Sequence, residues 1–299
     1  PTIAVTSKAR ELKREGKDII GLGAGEPDFD TPLHIKNAAI QAIKNGKTKY
    51  TAVDGIPELK EAICGKFSRD NQISYETDQI SVGAGGKQVL FNALLATLNK
   101  GDEVIIPAPY WVSYPDMVVL AEGVPVIIET NYDNNFKVNP AQIKKAITDK
   151  TKWIVINSPS NPTGTCYSTA ELNEIGKILE EYPKVGFISD DIYEKIVYDN
   201  FKFTTLATVK PEYKNRILTV NGVSKAYSMT GWRIGYAASS KEIIQSMAKI
   251  QSQSTTNPSS ISQYAAVEAL SGEEEFIFKN NQIFKRRRDL ISDIINQCQ

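Results

Sequence analysis

Short apolar runs recur along the chain, each closed by polar or turn residues. They predict seven strands, at 79–82, 103–106, 124–129, 152–157, 185–189, 216–221 and 233–238. Between most of them the apolar positions switch to three- and four-residue spacing, the mark of a helix with one buried face. Thr31-Pro32 opens one such helix, to about Asn45, with Ile35, Ala38, Ala39 and Ala42 on one side. Another carries Leu90, Phe91, Leu94, Leu95 and Leu98, and a third follows the capping box Ser168-Thr169-Ala170-Glu171 and buries Leu172, Ile175, Ile178 and Leu179. Strands alternating with helices predict a mainly parallel sheet covered on both faces. The last strand follows its predecessor too closely for a helical crossover, so it is expected to run antiparallel. Residues 5–16 read as an amphipathic helix and 18–22 as a short strand. After 239 a helix is expected to about Gln251, then the polar stretch 252–258, another helix, and a charged helix from near Glu273 to the end. No internal repeat is visible.

The polar groups that follow these runs carry the chemistry. Open α/β sheets build sites just past the carboxyl ends of their strands. Ser158-Pro159-Ser160-Asn161-Pro162-Thr163-Gly164 follows Trp153–Ile156, and Asp190-Asp191-Ile192-Tyr193 follows Val185–Ile188. The run Ile217–Val220 leads into Asn221-Gly222-Val223-Ser224-Lys225, with Arg233 eight residues on. A lysine just past a buried strand is partly desolvated, which favours the neutral, nucleophilic amine. Gly83-Ala84-Gly85-Gly86-Lys87 joins a strand to a helix N-terminus. Small residues and first-turn N–H groups there make an anion site, assigned to the backbone of Gly85 and Gly86. An amide, a carboxylate, a phenol, a lysine and an arginine are the set that holds pyridoxal phosphate. Strand alternation turns Asp190 and Asp191 apart, and the D-x-x-Y spacing to Tyr193 favours Asp190 as the carboxylate that serves the cofactor.

Composition narrows this reading. The chain has 299 residues, 35 basic and 35 acidic, which argues against a nucleic-acid or membrane-surface role. Three dispersed cysteines and the single His34 leave no metal site, disulfide framework or histidine triad to assemble. No apolar run reaches the length of a membrane span, and the charged first residues do not read as a signal peptide, so a cytoplasmic location is expected. A dinucleotide fingerprint at Gly21–Glu26 fails because Glu26 stands at its last glycine position, leaving a nicotinamide dehydrogenase a distant alternative. A P-loop ending at Gly46-Lys47-Thr48 fails because Gln41 stands where its first glycine belongs.

From Gly23-Ala24-Gly25-Glu26-Pro27-Asp28-Phe29 to Arg286-Arg287-Arg288, these motifs resemble, in order, those of the class I pyridoxal-phosphate aminotransferases. Within that family the pattern is similar to the bacterial aspartate (aspartate/prephenate) subgroup. The resemblance implies the large domain of a fold-type I transferase, with residues 1–28 as an N-terminal segment, 29–272 as the cofactor domain and 273–299 as the start of a connecting helix. It implies that the C-terminal small domain, with its arginine for the substrate α-carboxylate, is absent. Lys225 is then the catalytic lysine and joins the cofactor aldehyde. Asp190 faces the pyridine nitrogen, Tyr193 and Asn161 the phenolic oxygen, and Arg233 the phosphate. Trp111 stacks on the ring, and Ser224 partly replaces a serine that many relatives place at Gly222. Tyr50 reaches the phosphate of the neighbouring subunit in a homodimer. On the substrate side the resemblance implies Gly25 at the α-carboxylate and Lys87 at a distal carboxylate, with Ser252 and Thr256 of the partner chain beside it. Lys87 could instead serve only the phosphate. The implied reaction moves an amino group between aspartate and 2-oxoglutarate. Prephenate or another amino acid is the alternative, as is a chain that binds the cofactor without turnover.

Overall fold

The computed structural model describes residues 2–21, 23 and 25–298. Leu22 and Ala24, which fall in the glycine-rich Gly21–Gly25 turn, lie outside the described residues. Seven strands form one sheet: β1 (Ile80–Gly83), β2 (Glu103–Ala108), β3 (Val124–Glu129), β4 (Thr151–Asn157), β5 (Gly186–Asp190), β6 (Ile217–Gly222) and β7 (Gly235–Ala238). Their order is β1-β7-β6-β5-β4-β2-β3. Neighbours from β6 through to β3 pair in parallel, while β7 is antiparallel to both β1 and β6. The seven expected strands are thus present, each within two residues of its predicted ends. The last starts at Gly235 rather than 233 because a 3-10 turn at Thr230–Trp232 precedes it and Arg233 takes a left-handed φ of 56°.

Twelve α-helices complete the described chain. In order they are α1 (Thr2–Arg14), α2 (Leu33–Lys44), α3 (Pro57–Asn71), α4 (Gly86–Thr97), α5 (Ser113–Leu120), α6 (Pro140–Ala146), α7 (Thr169–Gly176), α8 (Ile178–Glu181), α9 (Leu206–Val209), α10 (Lys241–Ser254), α11 (Ser260–Ser271) and α12 (Glu275–Gln297). Strand side chains alternate between two cores. Trp153, Val155, Leu218 and Val220 face α4, α5 and α10. Ile154, Ile156, Phe187 and Ile217 face the side of α2, α3, α7 and α11. Gln251 of α10 ties the first core together. It accepts from Asn92 of α4 at 2.8 Å and donates to the carbonyls of Val53 and Val82 at 2.6 and 2.9 Å.

Three expectations need correction. Residues Asp18–Gly21 form no strand, because no sheet neighbour among the described residues supplies a ladder for that apolar run. The helix behind the Ser168 capping box forms with that cap, but it breaks at Lys177 into α7 and α8. Ser252 lies in the last turn of α10 rather than in a loop.

The chain leaves β2 to form β3 on one side and returns as β4 on the other. Such a reversal opens a crevice past the carboxyl ends of the strands. The loops after β2, β4, β5 and β6 and the N-terminus of α4 meet there.

Candidate active site

A cavity of about 600 Å³ occupies this crevice. Asp190 ends β5 and points into it, fully buried. Its Oδ2 accepts the Tyr114 hydroxyl at 2.5 Å and its Oδ1 accepts the Ile192 amide at 3.3 Å. Burial pushes its carboxyl above the usual range, and these two donors oppose that rise. Asp191 turns to the opposite face, as alternation requires, and accepts the Ser189 hydroxyl at 2.8 Å. Of the two acids, Asp190 is the one that lines the cavity.

Beyond Asp190 the donors are neutral. Burial, with the charge of Asp190 next, raises the Tyr193 phenol above its ordinary value, so it stays protonated and able to donate, while a hydrogen bond with Asn161 opposes the rise. Asn157 at the end of β4 organises this edge. Its Nδ2 donates to the Asp190 carbonyl at 2.9 Å and its Oδ1 accepts the Asn161 amide at 2.7 Å.

The third strand end supplies the amine. Lys225 stands in the loop after β6, partly buried, its Nζ donating to the Gly25 carbonyl and lying 5.7 Å from the Tyr193 ring centroid. Burial lowers its pKa; the Glu26 carboxylate opposes this and the Arg233 guanidinium adds to it. Ser224 beside it is buried and lines the cavity.

The far end of the cavity is cationic. Arg233 donates to the carbonyls of Thr230 at 2.8 Å and Ala84 at 3.3 Å. Its guanidinium fills the space that a Cβ on Gly85 would occupy, and Gly85 caps α4 with a φ of 91°. A side chain at 85 is therefore disfavoured by the backbone and would have to push the Arg233 guanidinium out of its place. The first-turn amides of Gly86 and Lys87 have no intrahelical acceptor and open onto the same end. Lys87 lies 4.8 Å from the Trp111 ring centroid, and Trp111 meets Tyr114 edge to face at 5.3 Å. Glu26 also lines the cavity and accepts the Thr230 hydroxyl at 2.9 Å.

Of the expected residues, Gly25, Gly86, Lys87, Trp111, Asn161, Asp190, Tyr193, Ser224, Lys225 and Arg233 line this one cavity, and Gly85 backs it. Tyr50, 88% exposed, and Ser252 and Thr256 at the end of α10 do not line the cavity of their own chain. The residues missed were Tyr114, Asn157, Glu26 and Thr230. Asn157 had a signal, a polar residue closing the apolar run of β4. Tyr114 had none, since it sits at the start of a short helix outside the strand runs and is buried by tertiary packing.

Residues 17–298 match the family model described as aminotransferase class I and II. An aspartate/prephenate aminotransferase of Cereibacter sphaeroides is 61% identical over 298 residues, covering 100% of this chain and 74% of that relative. The crystal structure of an aspartate aminotransferase from Rhizobium meliloti superposes with a TM-score of 0.95 at 53% identity, over 99% of this chain and 74% of that one. An aspartate aminotransferase from Thermus thermophilus, solved with maleate, gives 0.94 at 46% identity, over 98% of this chain and 76% of that one.

Proposed function

The chain belongs to the class I and II aminotransferases, and from that premise we propose that it uses pyridoxal phosphate to exchange an amino group between aspartate and 2-oxoglutarate, with prephenate as a further keto acid partner. The observation that carries this is the arrangement along one cavity. A carboxylate, two neutral donors, a desolvated amine and a cationic cradle follow one another, and the cradle holds Arg233, a helix N-terminus and a glycine where a Cβ would collide. That donor set fits the cofactor's ring nitrogen, phenolic oxygen, aldehyde and phosphate in turn.

When bound, the cofactor supplies an aldehyde for the amino group and an electron-withdrawing ring for the α-carbon. Lys225 would attach at the aldehyde, and once freed its neutral amine would take the substrate α-proton and return it. Burial already biases that amine towards the neutral form. Asp190 would hold the proton at the ring nitrogen through a charge-assisted hydrogen bond. Tyr193 and Asn161 would donate to the phenolic oxygen and favour its negative form. Arg233, Ser224 and the amides at Gly86 and Lys87 would hold the phosphate, for which a planar guanidinium is well shaped. The Gly85 amide already donates to the Gly83 carbonyl at 2.8 Å, so Gly85 would shape the cradle rather than donate to it. Trp111 would stack on the ring, and Gly25 would meet the substrate α-carboxylate through its backbone.

Lys87 is the cation for the distal carboxylate of the substrate. It, Lys225 and Arg233 line the cavity while bonding carbonyls or lying over an aromatic ring, so positive charge is open to an anionic ligand. Maleate, with which the Thermus thermophilus relative was solved, is itself a dicarboxylate. A homodimer follows from the same reading. Leu33, Ile40 and Ile43 leave an exposed apolar row on α2, next to exposed Tyr50, where a second copy would bring Tyr50, Ser252 and Thr256 to its neighbour's cavity.

Borohydride reduction of cofactor-loaded protein followed by peptide mapping tests the assignment. Label on Lys225 is expected, and label confined to any other lysine overturns it. A panel of aspartate, glutamate and prephenate then orders the substrates. Sedimentation showing only monomer, with cofactor bound normally, would count against sites shared between subunits.

A further inference from the structure

Beneath the sheet, on the side away from the cavity, lies a closed polar ring that the reaction does not use. Lys66 of α3 is fully buried and pairs with Glu194 Oε1. The same ammonium donates to Asn71 Oδ1 at 2.7 Å, and Asn71 Nδ2 donates to Glu194 Oε2 at 3.0 Å. Each member thus touches the other two. Asp191 sits beside this ring, 2% exposed, with one carboxyl oxygen accepting from the Ser189 hydroxyl.

A buried ion pair is a weak source of stability, because desolvating both charges offsets most of their attraction. Its clearest use is to select one arrangement among alternatives. Here the arrangement at stake is visible in the chain. Asp190 and Tyr193 face the cavity, while Asp191 and Glu194, one residue after each, are anchored below. The turn between them is short. The Asp191 amide bonds Val220 of β6 at 2.9 Å, and the Glu194 amide bonds the Asp191 carbonyl at 2.9 Å. A shift of Glu194 towards or away from α3 therefore drags Tyr193 with it.

We propose that the Lys66–Asn71–Glu194 ring, with Asp191 beside it, is a positioning device that clamps the Asp190–Tyr193 turn to α3 and so aims the Tyr193 phenol into the cavity. Lys66, Asn71 and Glu194 are positioning residues, since none of them lines the cavity. What the phenol faces rests on the function proposed above, but the clamp does not.

The test uses Lys66→Met combined with Glu194→Gln, which removes both charges at nearly constant volume and leaves no unpaired ion. Asn71→Ala is a second variant that opens the ring while keeping the ion pair, and it decides if the double variant does not fold. Two measurements are made on each. Amide hydrogen exchange over residues 191–196 should quicken by about tenfold or more, with exchange in β2 and α5 unchanged. The pH midpoint of the visible absorption of cofactor-loaded protein should rise by about 0.5–1 unit, in the direction Tyr193→Phe produces, because a misaimed donor no longer favours the negative oxygen. Wild-type exchange in the turn and a wild-type midpoint, in a variant with lowered melting temperature, would mean the ring serves stability alone and would overturn the proposal. Wild-type protein with no visible band on loading would refute the cofactor reading instead, and the exchange measurement would still decide the clamp.

Discussion

The two faces of the sheet at the end of β5 are built from the same materials and left in opposite states. On the cavity face, Lys87, Lys225 and Arg233 lie within reach of a large void, and among the described residues their donors meet backbone carbonyls or an aromatic ring. On the other face, Lys66, Asn71 and Glu194 satisfy one another with no space between them. Both regions gather charge where the chain is otherwise apolar. Only the first leaves charge for something outside the chain to complete. Polar groups held open beside a cavity mark a ligand site, whereas polar groups closed on themselves mark a structural constraint.

Substitutions on each face should therefore fail in different ways. The largest effect belongs to Lys225→Ala, which on the proposed function would remove covalent attachment and the base together. Transamination should fall by at least about 10²–10⁴-fold, the range for a lost general base alone, with the melting temperature hardly changed. Steady-state kinetics and a thermal scan check both halves. On the closed face, Lys66→Met strands Glu194 in the interior and should cost about 3–5 kcal/mol of stability in denaturant unfolding. A small loss there would dissolve the contrast between the faces.

Next comes Lys87→Ala. It should weaken dicarboxylic substrates about 10- to 100-fold more than alanine, the value of one charged hydrogen bond. Equal losses for both, or a loss of cofactor affinity alone, would move Lys87 from substrate to phosphate. The smallest effect is Asp191→Asn. At acid pH, where the carboxyl is neutral in both states, it should change stability by about 1 kcal/mol or less. Burial, with the charge of Glu194 adding to it, raises the Asp191 carboxyl well above its ordinary value of 3.8, against the opposing Thr205 and Ser189 hydroxyls and Lys66. The folded state then binds the proton more tightly than the unfolded one. This contribution to stability is complete below the unfolded value and is lost as pH rises through the folded one. Asp191→Asn should flatten that decline, read as melting temperature against pH. An unchanged pH profile would show that Asp191 titrates normally.

Much of this architecture was legible from pattern. A strand buried on both faces must be apolar throughout, so β4, β5 and β6 announce themselves as runs, and the polar residue closing each run marks the site. Asp190 was separable from Asp191 because alternation along a strand is a local rule. The same logic misled at 18–22. An apolar run becomes a strand only if a neighbour completes its hydrogen bonds, and that neighbour is not encoded in the run.

What local pattern left open was decided by contacts between distant parts of the chain. The order β1-β7-β6-β5-β4-β2-β3 is settled by which helices cover which face, and no single segment carries that information. Tyr114 reaches Asp190 across 76 residues, and Asn71 reaches Glu194 across 123. Each pairing exists because two elements pack against the same stretch of β5 and its turn, burying polar atoms that must then find partners nearby. Residue type and periodicity therefore decided which chemistry the chain carries and at which strand ends. Packing in three dimensions decided which of those groups meet, which remain open to a ligand, and which close on each other.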